Sequence, residues 1–175
     1  MNNNSSILFG RFDEFLWIRC SGRGSFSNSP TVKSLGDEYI ASGGRLIVID
    51  LETCSGIDST FMGTLAGLAR RLKPIDGAVQ IASPSERCLS ALESLGLDAL
   101  LSIEPPTAPW RGKGEEIRAN LGTETTPAVH LDARDQTLHV LDSHLTLSEL
   151  SEENEEKFRN VTDCLKDELK RQKDQ

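Results

Sequence analysis

The chain has 175 residues and a mass of 19.2 kDa, a length that suits one compact domain with an appendage. Apolar residues make up 37% of it and glycine adds 14 residues, a composition that excludes wholesale disorder. The formal charge of −8 argues against DNA, RNA and anionic membranes as partners and favours a protein partner.

The chain carries no signal for membrane insertion or secretion. No uninterrupted apolar run is longer than the four residues of 46–49, far too few to span a bilayer, and residues 1–6 lack the basic region of a signal peptide. We therefore expect a cytoplasmic protein. The four cysteines form no C-x-x-C pair, so we expect reduced and mostly buried thiols and no zinc site.

Short β-prone runs alternate with helical patterns through the first hundred residues. Residues 7–12 and 15–20 are separated by an acidic pair, which predicts an antiparallel hairpin at a sheet edge. Residues 46–49 and 78–82 are predicted to be parallel strands covered on both faces, and residues 100–103 to close the sheet.

Three helices are predicted between these strands. The first follows Ser29-Pro30 and stops at Gly43-Gly44, and the second begins near Asp58 and stops at Pro74. The third begins at Ser83-Pro84-Ser85-Glu86, a capping box with proline in the first helical position. The pattern predicts an α/β fold: a mixed sheet with an N-terminal hairpin and helices packed against it.

The rest of the chain has a different composition. Residues 105–134 contain four prolines among charged and small residues, which predicts a linker or a surface loop. Residues 135–175 show two helical patterns, one after a cap at Asp135 and one after a cap at Ser151. The predicted organisation is therefore a first domain at residues 1–104, a proline-rich linker, and a C-terminal helical extension.

Each of the two terminal helices has one narrow apolar stripe that has to be covered. The stripes consist of Leu138, Leu141 and Leu145 in one helix and of Phe158, Val161, Leu165 and Leu169 in the other. Acidic residues gather at the start of the last helix and basic residues at its end, which favours antiparallel pairing with a second copy and so predicts a homodimer. Docking of the helices on their own domain is the alternative.

A motif lies in the middle of the first domain. Asp50-Leu51 is followed by Asp58-Ser59-Thr60 and then by Gly63. Over residues 7–104 the chain resembles the STAS family, the domain shared by sulfate transporters and bacterial anti-sigma factor antagonists, whose hallmark is D-L, a short spacer, then D-S-S/T-x-x-G. Thr60 and Phe61 stand where serine and glycine are frequent in the family.

The resemblance implies a phosphorylation switch at Ser59. In the antagonist branch, the unphosphorylated protein binds an anti-sigma factor that is also a serine kinase of the GHKL type. Phosphorylation with ATP releases the antagonist, and a PP2C-like phosphatase reverses it. The chain is then the substrate of a kinase, not an enzyme, and needs no cofactor or metal. The alternative is that Asp58-Ser59-Thr60 only caps a helix, as such sequences commonly do.

We place the partner contact around Ser59. It comprises Asn28, Ser55, Asp58, Thr60, Phe61 and Met62. Asp50 is assigned a structural or partner-contacting role. Gly22-Arg23-Gly24 lacks the further glycine and the lysine of phosphate-binding loops, so we expect a turn there, at the same end of the sheet as Ser59.

Four other residues invite a functional interpretation. His130, His139 and His144 lack the spacing of a zinc site, and we expect them at the surface or at an interface. Trp110 is expected to clasp the linker onto the domain, with an exposed binding anchor as the alternative.

The motif also occurs in proteins with other functions. An accessory subunit of a lipid-transport complex and a scaffold component of a stress-signalling assembly are the alternatives to an anti-sigma factor antagonist.

Overall fold

A computed structural model describes residues 4–122 and 128–174, and within them the chain forms six strands and six α-helices. The strands are β1 (Ser6–Arg11), β2 (Leu16–Gly24), β3 (Leu46–Asp50), β4 (Cys54–Ile57), β5 (Ala78–Ala82) and β6 (Ser102–Ile103). The helices are α1 (Ser29–Ala41), α2 (Ser59–Leu72), α3 (Glu86–Ser94), α4 (Gly114–Ala119), α5 (Ala133–Ser148) and α6 (Glu152–Lys173). None of the described helices is long and apolar enough to cross a membrane.

The strands form one mixed sheet in the order β1-β2-β3-β5-β6, with β4 paired to β2 beyond the end of β3. β1 and β2 are an antiparallel hairpin, and the other pairs are parallel. The predicted α/β fold with an N-terminal hairpin is confirmed. β4 was not predicted, because its sequence, Cys-Ser-Gly-Ile, has no β-prone run and its pairing with β2 shifts register between Gly22 and Arg23.

Alternating strand residues face two separate cores, since successive side chains of a strand point to opposite faces. On one face, Ile18, Ile49 and Ile81 pack in a large core with side chains of α1, α2 and α3. On the other face, Trp17 and Val48 belong to a smaller core. The sheet therefore needs a second cover opposite the helices.

The segment predicted as a linker supplies that cover. Trp110, Ile117 and Leu121 are buried on the second face of the sheet, and α4 lies within this segment. The Trp110 ring packs edge-on against Trp17 with 5.6 Å between centroids, and its Nε1 donates to Gln80 Oε1 at 2.6 Å. The clasp predicted for Trp110 is confirmed. Residues 123–127, which include the last of the four linker prolines, lie outside the described residues.

The C-terminal hairpin, defined as α5 and α6, docks on its own domain through α2. Its buried face differs from the predicted stripes: Leu138 and Val161 are both 40% exposed, whereas His139, Ser143 and His144 are buried. These polar side chains lie inside because each of them makes a hydrogen bond. Docking on the chain's own domain, the alternative named above, is thus present, and this contact does not test the homodimer predicted from the sequence.

Two helix starts differ from the prediction. α3 is capped by Ser85, whose side chain accepts from Cys88 N, and not by Ser83. The Ser83 hydroxyl accepts from Arg118 Nη2 at 3.2 Å, and the helix begins only at Glu86, three residues later. α5 is capped by Asp132 in place of Asp135. The predicted cap of the last helix at Ser151 is confirmed.

Candidate functional site

Ser59 is the first residue of α2, and Asp58 before it caps the helix. One carboxylate oxygen of Asp58 accepts from Phe61 N at 2.9 Å, and the other accepts from Phe26 N at 2.9 Å. The backbone N–H of Asp58 donates to Gly24 O, also at 2.9 Å. Asp58 therefore joins the start of α2 to the loop after β2. Gly22-Arg23-Gly24 lies at this end of the sheet, as predicted, but the predicted turn is wrong: these residues are the last of β2 and pair with β4.

The Ser59 hydroxyl forms a hydrogen bond with a histidine 85 residues away in the sequence. Its Oγ lies 2.9 Å from His144 Nε2, while His144 Nδ1 lies 2.7 Å from Val140 O. A carbonyl oxygen can only accept, so Nδ1 carries a proton. In the tautomer with that single proton, Nε2 is the acceptor and Ser59 is the donor.

A second pair of the same kind lies at the start of α1. Ser29 Oγ is 2.8 Å from His139 Nε2, and both residues are buried. Burial, together with the nearby Lys33 ammonium, lowers the pKa of His139 below its usual value. Neutral imidazole is the favoured form there because the charged form would lose its hydration.

The residues predicted to contact a partner divide into an accessible and a buried group. Asn28 and Asp58 are half-buried, and Ser55 is exposed. Thr60, Phe61 and Met62 are buried, at 4%, 0% and 6% exposure, and their contact with a partner stays a prediction. Phe61 and Met62 belong to the main core.

The polar residues of the accessible group also hold the loop between β2 and α1. Asn28 accepts from Ser25 N at 2.9 Å and donates to Arg23 O at 2.8 Å. Ser55 Oγ donates to Gly22 O at 2.9 Å. These bonds keep the loop next to Ser59.

Sequence reasoning missed two residues at this site. Phe26 is 55% exposed beside the cap of α2, and an aromatic residue within the Gly/Ser-rich loop was the signal for it. His144 had no local signal, because its role depends on contact between α5 and α2. Phe26 offers a partner the kind of apolar anchor that protein interfaces use.

Asp50 lies at the end of β3 on the opposite face of the sheet and has no exposed surface. Its carboxylate accepts hydrogen bonds from Arg118, from Trp17 Nε1 at 3.2 Å and from Glu52 N at 3.1 Å. The hydrogen bond to Asp50 raises the pKa of the Arg118 guanidinium above its usual value. Of the two roles considered for Asp50, structural and partner-contacting, this arrangement favours the structural one.

The cysteines and histidines offer no site for a metal among the described residues. The four cysteines are free thiols, and three of them are buried, as expected. Cys164 is exposed. His130 is exposed, whereas His139 and His144 lie between the C-terminal hairpin and the domain.

Comparison with known proteins identifies the family. The sequence model of the STAS domain matches residues 9–108, more than half of the chain. The search of curated proteins found no match to this chain.

Solved structures with the same fold include three of anti-sigma factor regulators. The anti-sigma factor antagonist SpoIIAA in its unphosphorylated form is 17% identical, with a TM-score of 0.53 over 67% of this chain and 100% of that one. The Bacillus cell fate determinant SpoIIAA in its phosphorylated form is 19% identical, with a TM-score of 0.51 over 65% and 98%. An anti-sigma factor antagonist from Mycobacterium paratuberculosis is 18% identical, with a TM-score of 0.53 over 60% and 89%. The chain belongs to the STAS domain family, and its fold is similar to that of anti-sigma factor antagonists.

Proposed function

We propose that the chain is an anti-sigma factor antagonist in a bacterial partner-switching system. Its unphosphorylated form binds an anti-sigma factor that is a serine kinase of the GHKL type, and phosphorylation of Ser59 releases the complex. The observation that carries the proposal is the position of Ser59 as the first, half-buried residue of α2, beside the exposed Phe26 and Ser55. The fold shared with anti-sigma factor antagonists supports it.

The start of α2 is a suitable place for a phosphate. The first N–H groups of a helix have no partner within the helix, and its N-terminal end carries partial positive charge. Phosphoryl transfer joins the γ-phosphorus of ATP to Ser59 Oγ, breaks the bond to ADP and sends the hydroxyl proton to a base of the kinase. The domain should therefore stay folded after modification, because the helix terminus accommodates the new charge.

The same modification changes the surface that the partner contacts. A phosphoserine adds a charge of about −1.5 to −2 at neutral pH. Asp58 is adjacent, and the whole chain already carries a charge of −8. An acidic partner surface would be repelled by this charge, and an apolar partner surface would remove the water that hydrates it. Either effect would release the partner. A PP2C-like phosphatase that hydrolyses the phosphoserine would restore binding.

The test begins with capture of partners by the tagged, unmodified full chain from its native host, followed by mass spectrometry. We expect a GHKL-type kinase, which is then incubated with the chain and ATP. One phosphate should appear on Ser59, and Ser59→Ala should abolish it.

Ser94→Ala is the control, since it removes an exposed serine hydroxyl at the end of α3, outside the predicted partner contact, and should leave incorporation unchanged. A phosphate mapped to Thr60 in the wild-type chain would overturn the assignment of the acceptor. Recovery of a permease and its ATPase would instead favour a lipid-transport subunit, and recovery of a large assembly without a kinase would favour a scaffold.

A further inference from the structure

The C-terminal hairpin lies directly on the helix that carries Ser59. α5 packs along α2, and α6 packs on α5. The two helices approach closely at Gly63, where an added Cβ would lie 2.3 Å from the carbonyl oxygen of Ser143. Only a residue without a side chain lets the two helices come this close. α5 therefore covers the turn of α2 that follows Ser59.

Two histidines of α5 bind the first residues of two helices. His144 is hydrogen-bonded to Ser59 at the start of α2, and His139 to Ser29 at the start of α1. Both imidazole rings are buried. The two pairs fix α5 across the N-terminal ends of α1 and α2. The Ser59 hydroxyl is thereby held in a hydrogen bond with His144.

The remaining contacts between the hairpin and the domain combine polar and apolar groups. Asn154 Nδ2 donates to Leu95 O at 3.0 Å, and Arg70 forms an ion pair with Glu149. Leu147 and Phe158 supply the apolar part. Water can satisfy the polar groups when they separate, so such a contact can open while the sheet stays folded.

We propose that the C-terminal hairpin is an autoinhibitory cover that has to leave α2 before a kinase can phosphorylate Ser59. The inference rests on the proposed function for the reaction that the cover controls. Transfer requires the γ-phosphorus of ATP to approach Ser59 Oγ to about 3–3.5 Å, in line with the breaking bond. His144 Nε2 already lies 2.9 Å from that oxygen, and the body of α5 lies behind it. The kinase and α5 therefore compete for the same side of α2.

Gly63→Ala is the variant that opens the cover. Its methyl group would collide with Ser143, on the hairpin, and the three nearest atoms it meets all belong to that residue. Gly67→Ala is the matched control: it lies one turn further along α2, and a Cβ there meets nothing within 4 Å. Both changes raise the helix propensity of α2 to the same degree, so they differ in the collision alone.

Hydrogen exchange of the full chain measures the cover without any partner. We expect the amides of residues 137–148 to exchange at least about tenfold faster in Gly63→Ala than in the wild type, and Gly67→Ala to match the wild type. Equal exchange rates in all three proteins would contradict the proposal that the hairpin covers α2. Should Gly63→Ala fail to fold, Ser143→Asp places a charge in the same buried contact from the hairpin side, and the same criteria apply to it.

The second measurement is the rate of phosphate incorporation at Ser59 with the captured kinase. We expect Gly63→Ala to react at least about tenfold faster than the wild type and Gly67→Ala to react at the wild-type rate. Equal rates in the three proteins, alongside faster exchange in Gly63→Ala, overturn the control of phosphorylation by the hairpin. Absence of phosphate from all three proteins overturns the proposed function instead, so the two failures are distinguishable.

Discussion

Arg118 binds Asp50 with two parallel hydrogen bonds, from Nε to Oδ2 at 2.8 Å and from Nη2 to Oδ1 at 3.0 Å. Arg118 belongs to α4, and Asp50 is the last residue of β3. The pair therefore fastens the cover of the second sheet face to the centre of the sheet. Asp50 is fully buried, so these two hydrogen bonds replace water that its carboxylate has lost.

We predict that Arg118→Met destabilises the protein by about 3 kcal/mol, because the buried carboxylate loses both guanidinium hydrogen bonds and keeps the more distant Arg19, at 3.9 Å. Methionine keeps much of the apolar stem, so the loss reports mainly on the charge. Urea unfolding measures the free energy. Arg171→Met is the control: Arg171 pairs with Glu168 on an exposed face of α6, and its loss should cost less than about 1 kcal/mol. Equal costs for the two variants would contradict the role given to Asp50.

Ser59→Asp is predicted to weaken binding of the captured kinase at least about tenfold, or about 1.4 kcal/mol. The physical reason is a carboxylate placed in a contact that has to lose its water. Calorimetry with the wild type, Ser59→Asp and the enzymatically phosphorylated chain measures the change. The phosphoprotein is the stricter comparison, since aspartate carries less charge and reaches less far. Equal affinity for the wild type and the phosphoprotein would rule out the release mechanism.

The buried His139 predicts a loss of stability in mild acid. Its pKa in the folded chain is lowered by burial and then by Lys33, against opposing effects of Asp142 and Asp58. Between that lowered pKa and the usual value of 6.5, the unfolded chain binds a proton that the folded chain does not. The free energy of unfolding contributed by His139 is therefore complete above about pH 6.5 and decreases as the pH falls below it.

Urea unfolding at about pH 7.5 and about pH 5.5 tests this, with His139→Gln as the comparison. Glutamine keeps an acceptor for the Ser29 hydroxyl but cannot titrate. We expect the wild type to lose more stability than His139→Gln over this interval. An identical loss in both proteins would show that groups other than His139 set the acid sensitivity.

The sequence predicts those parts of the fold that rest on local patterns. The hairpin of β1 and β2, the buried strands β3 and β5, and the cap at Asp58 follow from apolar runs and from short side chains before helices. β4 could not be found in this way, because it is defined by pairing with β2 and not by its own composition.

The candidate site also has a part that local sequence patterns predict and a part that they do not. Ser59 could be predicted from a motif of neighbouring residues, whereas its bond to His144 spans 85 positions. The buried face of α5 was misassigned because His139 and Ser143 resemble solvent-exposed residues until their hydrogen-bond partners are known. Leu138, assigned to the buried stripe by its spacing, is exposed for the same reason: the polar residues take its place.

The docked hairpin also changes the expectation for the oligomeric state. The two stripes predicted to pair with a second copy are partly used within the chain, since Leu141 and Phe158 are buried there. Leu138 and Val161 are the two large apolar side chains of the hairpin that remain exposed among the described residues. Two such side chains are few for a stable interface, which normally requires a sizeable apolar centre.

We therefore expect light scattering to give the monomer mass of 19.2 kDa. A double variant, Leu138→Gln with Val161→Gln, should leave that mass unchanged. A doubled mass for the wild type that the double variant returns to 19.2 kDa would instead establish a dimer through the C-terminal helices.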